Sequence, residues 1–165
     1  MIRKIDDFIS AYTSQHEGTL KAFSLLTDES LSQEVAPGYR KLGRIAWHIV
    51  DSLNDMGNRC GLGIDNVDEA SVPKTAAEIR ETYERLSRQV LDAVKEQWDD
   101  AALEQEDDMY GEKWKRGVTL AILIRHEVLH MGQITVLMRQ AGLAVPGLCG
   151  PSKEEWAAFG MEAMQ

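Results

Sequence analysis

A chain of 165 residues, 44% of them apolar, is long enough for one domain with a full core. Its formal net charge of −9, with a pI near 4.9, repels phosphate backbones and anionic lipid surfaces, which excludes nucleic acid and such membranes as electrostatic partners. The opening Met-Ile-Arg-Lys-Ile-Asp-Asp has no signal-peptide apolar region and no run reads as a membrane span, so a cytoplasmic protein is expected.

Four long helical patterns fill most of the chain. Ile2, Ile5, Ile9, Tyr12, His16 and Phe23 recur at helical spacing and predict the first helix. A polar stretch ends at the breaker Pro37-Gly38. Leu42, Ile45, Ile49, Leu53 and Met56 then mark a second helix, ending near Gly61 and Gly63. Thr75 and Glu78, just after Pro73, form a capping box that opens a third helix with the stripe Ile79, Tyr83, Leu86, Val90, Val94 and Trp98. Asp99 to Asp108 reads as an acidic connector, and Trp114 follows among Lys113, Lys115 and Arg116.

The fourth helix is expected from about Gly117 to Ala141, with Gly142 as its left-handed cap. Its start, Val118 to Ile124, is apolar almost all round, as in a helix buried on most sides. Ser152 with Glu155 is expected to cap a short terminal helix carrying Trp156 and Phe159. No segment alternates as a strand should. The expected fold is all-α, a four-helix bundle with one or two short additional helices, as a single domain over residues 1–165. Leu31-Ser32-Gln33-Glu34 also echoes Leu103-Glu104-Gln105-Glu106. Each precedes a tyrosine and then a histidine-bearing helix, as a duplicated hairpin would, although a match this short also arises by chance.

Two of the four histidines, His126 and His130, stand four residues apart in the fourth helix. One turn brings them onto the same face, where two imidazoles make half of a metal site. His48 lies beside the apolar stripe of the second helix, three residues after Ile45, and points to the bundle interior or its margin. Packing of the second helix on the fourth would bring three neutral imidazoles together with one coordination position open, the pattern of a catalytic divalent metal. Imidazole suits zinc, nickel, copper and ferrous iron alike. Gln133 shares the face of His130 and can orient a ligand or a bound water. Asp51 and Asp55 share the face of His48, as a base, a fourth ligand or a hydrogen-bond acceptor. His16 reads as a core histidine. Cys60 and Cys149 are far apart and read as free thiols, with nothing beside Cys149 to make it a nucleophile.

His126-Glu127-Val128-Leu129-His130 also matches the zinc-protease pattern H-E-x-x-H, with Glu127 as base and Glu154 as a later third ligand. That reading is disfavoured. No strand is visible to hold a peptide, the motif lies in the apolar centre of a small bundle, and Glu154 sits at a separate helix start.

The stretch from His126 through Gly142, followed by Val145-Pro146-Gly147 and Gly150-Pro151-Ser152, resembles the fourth helix and tail of the DinB-like (DinB/YfiT) superfamily. Leu42 through Asp51 resembles that family's first metal-ligand segment, and Trp114 to Val118 the lead into its last core helix. The resemblance implies a four-helix bundle with a divalent metal held by His48, His126 and His130, and often a homodimer. Members with known activity are metal-dependent transferases that use bacillithiol, mycothiol or glutathione, and related isomerases. The chain departs from the family at Leu129 and Met131, where a second histidine and a basic residue are common, and it lacks the aromatic often found near Cys149.

The expected function is therefore that of a divalent-metal protein, zinc or nickel, acting on a small molecule. Thiol S-transfer comes first, metal-assisted hydrolysis second, with Asp51 and Gln133 assisting and a low-molecular-weight thiol as cosubstrate. The alternative is a non-catalytic bundle that binds metal or ligand in a stress response.

Overall fold

The structure is a computed structural model that describes residues 1–163; the last two residues of the expected 1–165 domain lie outside the described part. Helix α1 spans Ile5–Phe23, α2 Leu42–Arg59, α3 Ala76–Gln97 and α4 Arg116–Gln140. Each helix packs against two others, in the ring order α1–α3–α2–α4. Helices α1 and α2 therefore lie diagonally, as do α3 and α4, because the segments that join them cross the end of the bundle, while α2 and α3 are neighbours.

The predicted stripes of α2 and α3 form the core, whereas in α1 Phe8 and Ala22 are buried beside Tyr12 and Phe23 and the expected Ile2, Ile5 and Ile9 are only partly buried. Phe8, Tyr12, Ala22 and Phe23 of α1 meet Ile79, Tyr83, Leu86 and Val90 of α3, all buried. Leu42, Ile49, Val50 and Leu53 line α2. Helix α1 begins at Ile5 rather than at Ile2, and its first amide is capped from afar, with Ile5 N–H donating to Asp100 Oδ1 at 2.8 Å. Only the threonine half of the expected capping box is made, with Thr75 Oγ1 accepting from Glu78 N–H, and Asp28 accepts the amide of Ala76. Gly142 ends α4 at φ +76°, with Leu143 N–H returning to Met138 O at 2.9 Å.

The start of α4 is fixed by a strap. The Ile2 amide donates to Gly117 O at 2.8 Å, and a Cβ at position 117 would lie 2.2 Å from Ile2 O, so only glycine fits. Among the described residues α4 alone has the length and apolarity of a membrane span, with mean hydropathy 1.2. It is packed against α1 and α2 and carries two histidines and a glutamate.

Two expectations are corrected. The absence of strands fails at Glu106–Met109 and Glu112–Lys115, an antiparallel pair (β1 and β2) in register Glu106↔Lys115 and Asp108↔Lys113. Its two-residue turn, Tyr110-Gly111, holds φ of +61° and +87°. Two left-handed residues make the turn that suits the twist of a tight hairpin. The acidic connector is thus partly a strand whose carboxylates face lysines across the pair. The second correction is the terminal helix, a single 3₁₀ turn at Trp156–Phe159. Glu155 accepts from Ser152 N–H at 3.1 Å, but Ser152 Oγ is buried without a partner, so only the glutamate half of the expected cap is made.

The echoed segments hold corresponding places. An 18-residue connection with a short 3₁₀ turn leads from α1 to α2, and another of 18 leads from α3 to α4. The first closes on an isolated Glu34↔Lys41 bridge, the second on the β1–β2 pair.

Candidate metal centre

The packing of α2 on α4 brings His48, His126 and His130 together. Their ring centroids are 5.0 Å (48 to 126), 4.9 Å (48 to 130) and 4.4 Å (126 to 130) apart. One ligand nitrogen from each lies within 4.8 Å of the others. The sequence reason is plain. Ile45, Ile49 and Leu53 seat α2 in the core, and His48 stands at the edge of that stripe. On α4, Leu123, Ile134 and Leu137 do the same for the histidine pair one turn apart.

The donor set fits a cation. His130 Nδ1 lies 2.7 Å from Gln133 Oε1, a carbonyl oxygen that only accepts, so Nδ1 carries the proton and the Nε2 lone pair is free. That lone pair faces His126 Nε2 at 3.1 Å, a separation that needs a proton or a cation between the two nitrogens. The His48 and His126 rings are held neutral. Burial, then His130 and His48, lower the His126 pKa to about 4, and burial, then His130 and Arg40, lower that of His48. His48 Nδ1 is buried with no hydrogen-bond partner, and the nearest acceptor is Glu69 Oε1 at 3.7 Å. Ligating imidazoles usually donate their second N–H to such a group.

The rings stand between two cavities. One, of about 550 Å³, is lined by Val35, Tyr39, Ile45, Val136 and Leu137, with Arg40, His130 and Gln133. The other, of about 730 Å³, is polar, with Asp51, Asp55, Asp68 and Glu69 beside His48 and His126, and Tyr110 and Trp114 of the hairpin on its far wall. Asp51 is half-buried, with its carboxylate within 4.8 Å of the His48 and Glu69 ligand atoms. Burial first, then Glu69, raises its pKa from the ordinary aspartate value. Asp55 is taken up elsewhere, pairing with Arg59 at 2.9 Å and accepting from Tyr110 OH, while Arg59 stacks over the Tyr110 ring.

Glu127 and Glu154 do not join the histidines. Glu127 is one residue past His126 and so turned about 100° around the helix. It is buried in the bundle centre, where Oε1 accepts from Thr19 Oγ1 at 2.6 Å, Tyr83 OH at 2.6 Å and Gln15 Nε2 at 3.4 Å. Burial raises its pKa. Glu154 pairs with Arg139 at the surface. The H-E-x-x-H reading thus lacks both its base and its third ligand, and the third imidazole comes from α2. His16 is a core residue, sharing a 2.7 Å hydrogen bond with Ser87 Oγ and stacking on Tyr83. Both cysteines are free; Cys60 is buried, with its thiol pushed up to about 12, and Cys149 is exposed.

Sequence reasoning missed Glu69, Arg40 and Tyr110. Glu69 and Arg40 sit in loops without periodicity. Tyr110-Gly111 carried a signal, a glycine-bearing pair between arms of opposite charge.

The fold and the site together define a helical bundle in which two facing helices gather three imidazoles that can hold a metal. The DinB family profile matches residues 1–164, and the chain belongs to the DinB family. It is 40% identical over 164 residues to the uncharacterized protein YrdA of Bacillus subtilis (strain 168), covering 99% of this chain and 98% of that one. A crystal structure of a DinB-like protein from Bacillus cereus ATCC 10987 aligns with a TM-score of 0.86 at 40% identity, over 89% of this chain and 99% of that one. A DinB-like protein of Bacillus subtilis, YjoA, shares the fold with a TM-score of 0.67 at 18% identity, over 82% and 92% of the two chains.

Proposed function

We propose that this protein is a metal-dependent enzyme acting on a small molecule, with zinc or nickel held by His48, His126 and His130. The observation that carries the reading is the set of three clustered imidazoles at the junction of two cavities, with His130 oriented by Gln133. A divalent cation bound there supplies Lewis acidity and makes a thiol or a water nucleophilic at neutral pH. The chain's own residues do the rest. Gln133 keeps the His130 proton on Nδ1. Asp51, with its raised basicity, takes the proton of the incoming thiol or water on the polar side. The apolar side excludes water from the electrophile. Thiol S-transfer is the first choice because two cavities give room for two reactants, and hydrolysis is the second.

The test has two parts. Elemental analysis should find one equivalent of metal in the purified protein and none in His48→Ala or His126→Ala. The loaded protein should then conjugate a chlorinated aromatic with bacillithiol, mycothiol or glutathione. Metal without turnover across the thiol panel would favour a binding protein, and no metal would end the reading. The expected homodimer is carried as part of the proposal, supported by the exposed Val128 and Leu129 on α4. Light scattering should give twice the chain mass, and Leu129→Glu should give the monomer.

A further inference from the structure

Ten arginines are spread along this acidic chain, and seven of them form an ion pair with a carboxylate. Arg3 lies near Glu104, and Arg125 turns back to its own helix at Ala121 O. Arg40 has no ion-pair or hydrogen-bond partner among the described residues, and it lines the apolar cavity beside His130 and Gln133. Its neighbour Lys41 takes the nearby Glu34. Its charge reaches the imidazoles, where it is among the influences that keep His48 and His126 neutral. The walls around it, Val35, Ile45, Val136 and Leu137, offer no counter-charge. The other cavity carries Asp51, Asp55, Asp68 and Glu69 against the single cation Arg59, itself paired with Asp55, and so repels anions.

We infer that the 550 Å³ cavity is the subsite for an amphipathic monoanion, with its apolar body against Ile45, Val136 and Leu137 and its carboxylate or equivalent anionic group on the Arg40 guanidinium. An apolar cavity with one convergent charged group is the usual form of a small-molecule site, and a guanidinium recognises a planar carboxylate with two parallel bonds. The acidic cavity opposite fixes the orientation, because the anionic end of a substrate enters only from the Arg40 side. The inference rests on the enzyme reading for its place in the reaction, but the binding itself needs no turnover.

Calorimetry with octanoate, octanol and octylamine on the purified, metal-loaded protein tests it. Octanoate should bind at least about tenfold tighter than octanol or octylamine. Arg40→Gln should remove that advantage, Arg40→Lys should keep part of it, and metal content should be unchanged in both. Octanoate binding should also survive in the His126→Ala protein, which separates Arg40 from the cation as the carboxylate's partner. Equal binding of the three probes, an unchanged octanoate affinity in Arg40→Gln, or loss of octanoate binding with the metal would each overturn the inference. Failure of the metal analysis alone would sink the enzyme reading and leave this one standing.

Discussion

His126 and Glu127 are adjacent in sequence, yet α4 sends them to two different worlds. His126 reaches a cluster open on both sides to cavities, with its Nε2 3.1 Å from that of His130. Glu127 enters a buried cluster where Oε1 accepts from Thr19, Tyr83 and Gln15, while Oε2 meets no donor. Polar groups on cavity walls are open to completion by a ligand, whereas a buried carboxylate that takes donors from two other helices ties the bundle together. The comparison teaches that a motif read as one unit, H-E-x-x-H, can be split by helical geometry into a binding half and a structural half.

The largest effect should separate them outright. His126→Ala should cost about 100-fold or more in metal affinity, read by competition with a chelator, while the metal-free variant stays as stable as the metal-free parent. Glu127→Ala should do the reverse. It orphans the Thr19 and Tyr83 hydroxyls and leaves a void, which costs about 2–4 kcal/mol in urea unfolding, with metal stoichiometry unchanged in the folded fraction. An exchange of these outcomes between the neighbours would break the comparison. Gln133→Ala sharpens it on the open side. The metal should stay but bind about tenfold more weakly, because the His130 tautomer is no longer fixed.

The smallest effect is in pH, and its sign differs between the two sites. In the metal-free protein His126 is held at about 4 against an ordinary 6.5, so between these values the unfolded chain binds the proton that the fold refuses. Stability is then full above about 6.5 and falls as pH drops toward about 4. Glu127 is shifted upward, so its contribution is full below its ordinary value of 4.5 and is lost as pH rises through its folded value. Thermal melts across pH should show His126→Ala flattening the acid limb and Glu127→Gln the alkaline limb. The same limb flattened by both would mean that the two groups titrate together.

Three helices were legible from a stripe of apolar residues and the fourth from its nearly continuous apolar start, while the stripe-edge position of His48 allowed it to face the α4 pair and the family resemblance implied that it does. The hairpin was not. Its arms are four residues long and charged on both faces, so alternation gives no apolar face to detect, and only Tyr110-Gly111 and the opposed charges betray it. The roles of Glu69 and Arg40 were illegible for a different reason. Their positions are set by loop paths, Glu69 through its grip on Arg44 and Arg40 by its place just ahead of α2, and no local pattern encodes such a path. The fate of Glu127 was within reach. A step of about 100° past a cavity-facing histidine points to the bundle axis, where Tyr83 and Thr19 already lay on predicted faces.

The strap at Gly117 carries a last consequence. Residue 2 is locked onto the first turn of α4, and Arg116 opens that helix straight from β2 with no slack between them. The histidine pair is thus moored at its upstream end by the opening residues of the polypeptide, far away in sequence. Trimming the chain before residue 5, or adding one methyl group at 117, should unmoor the helix that presents His126 and His130 while touching neither of them.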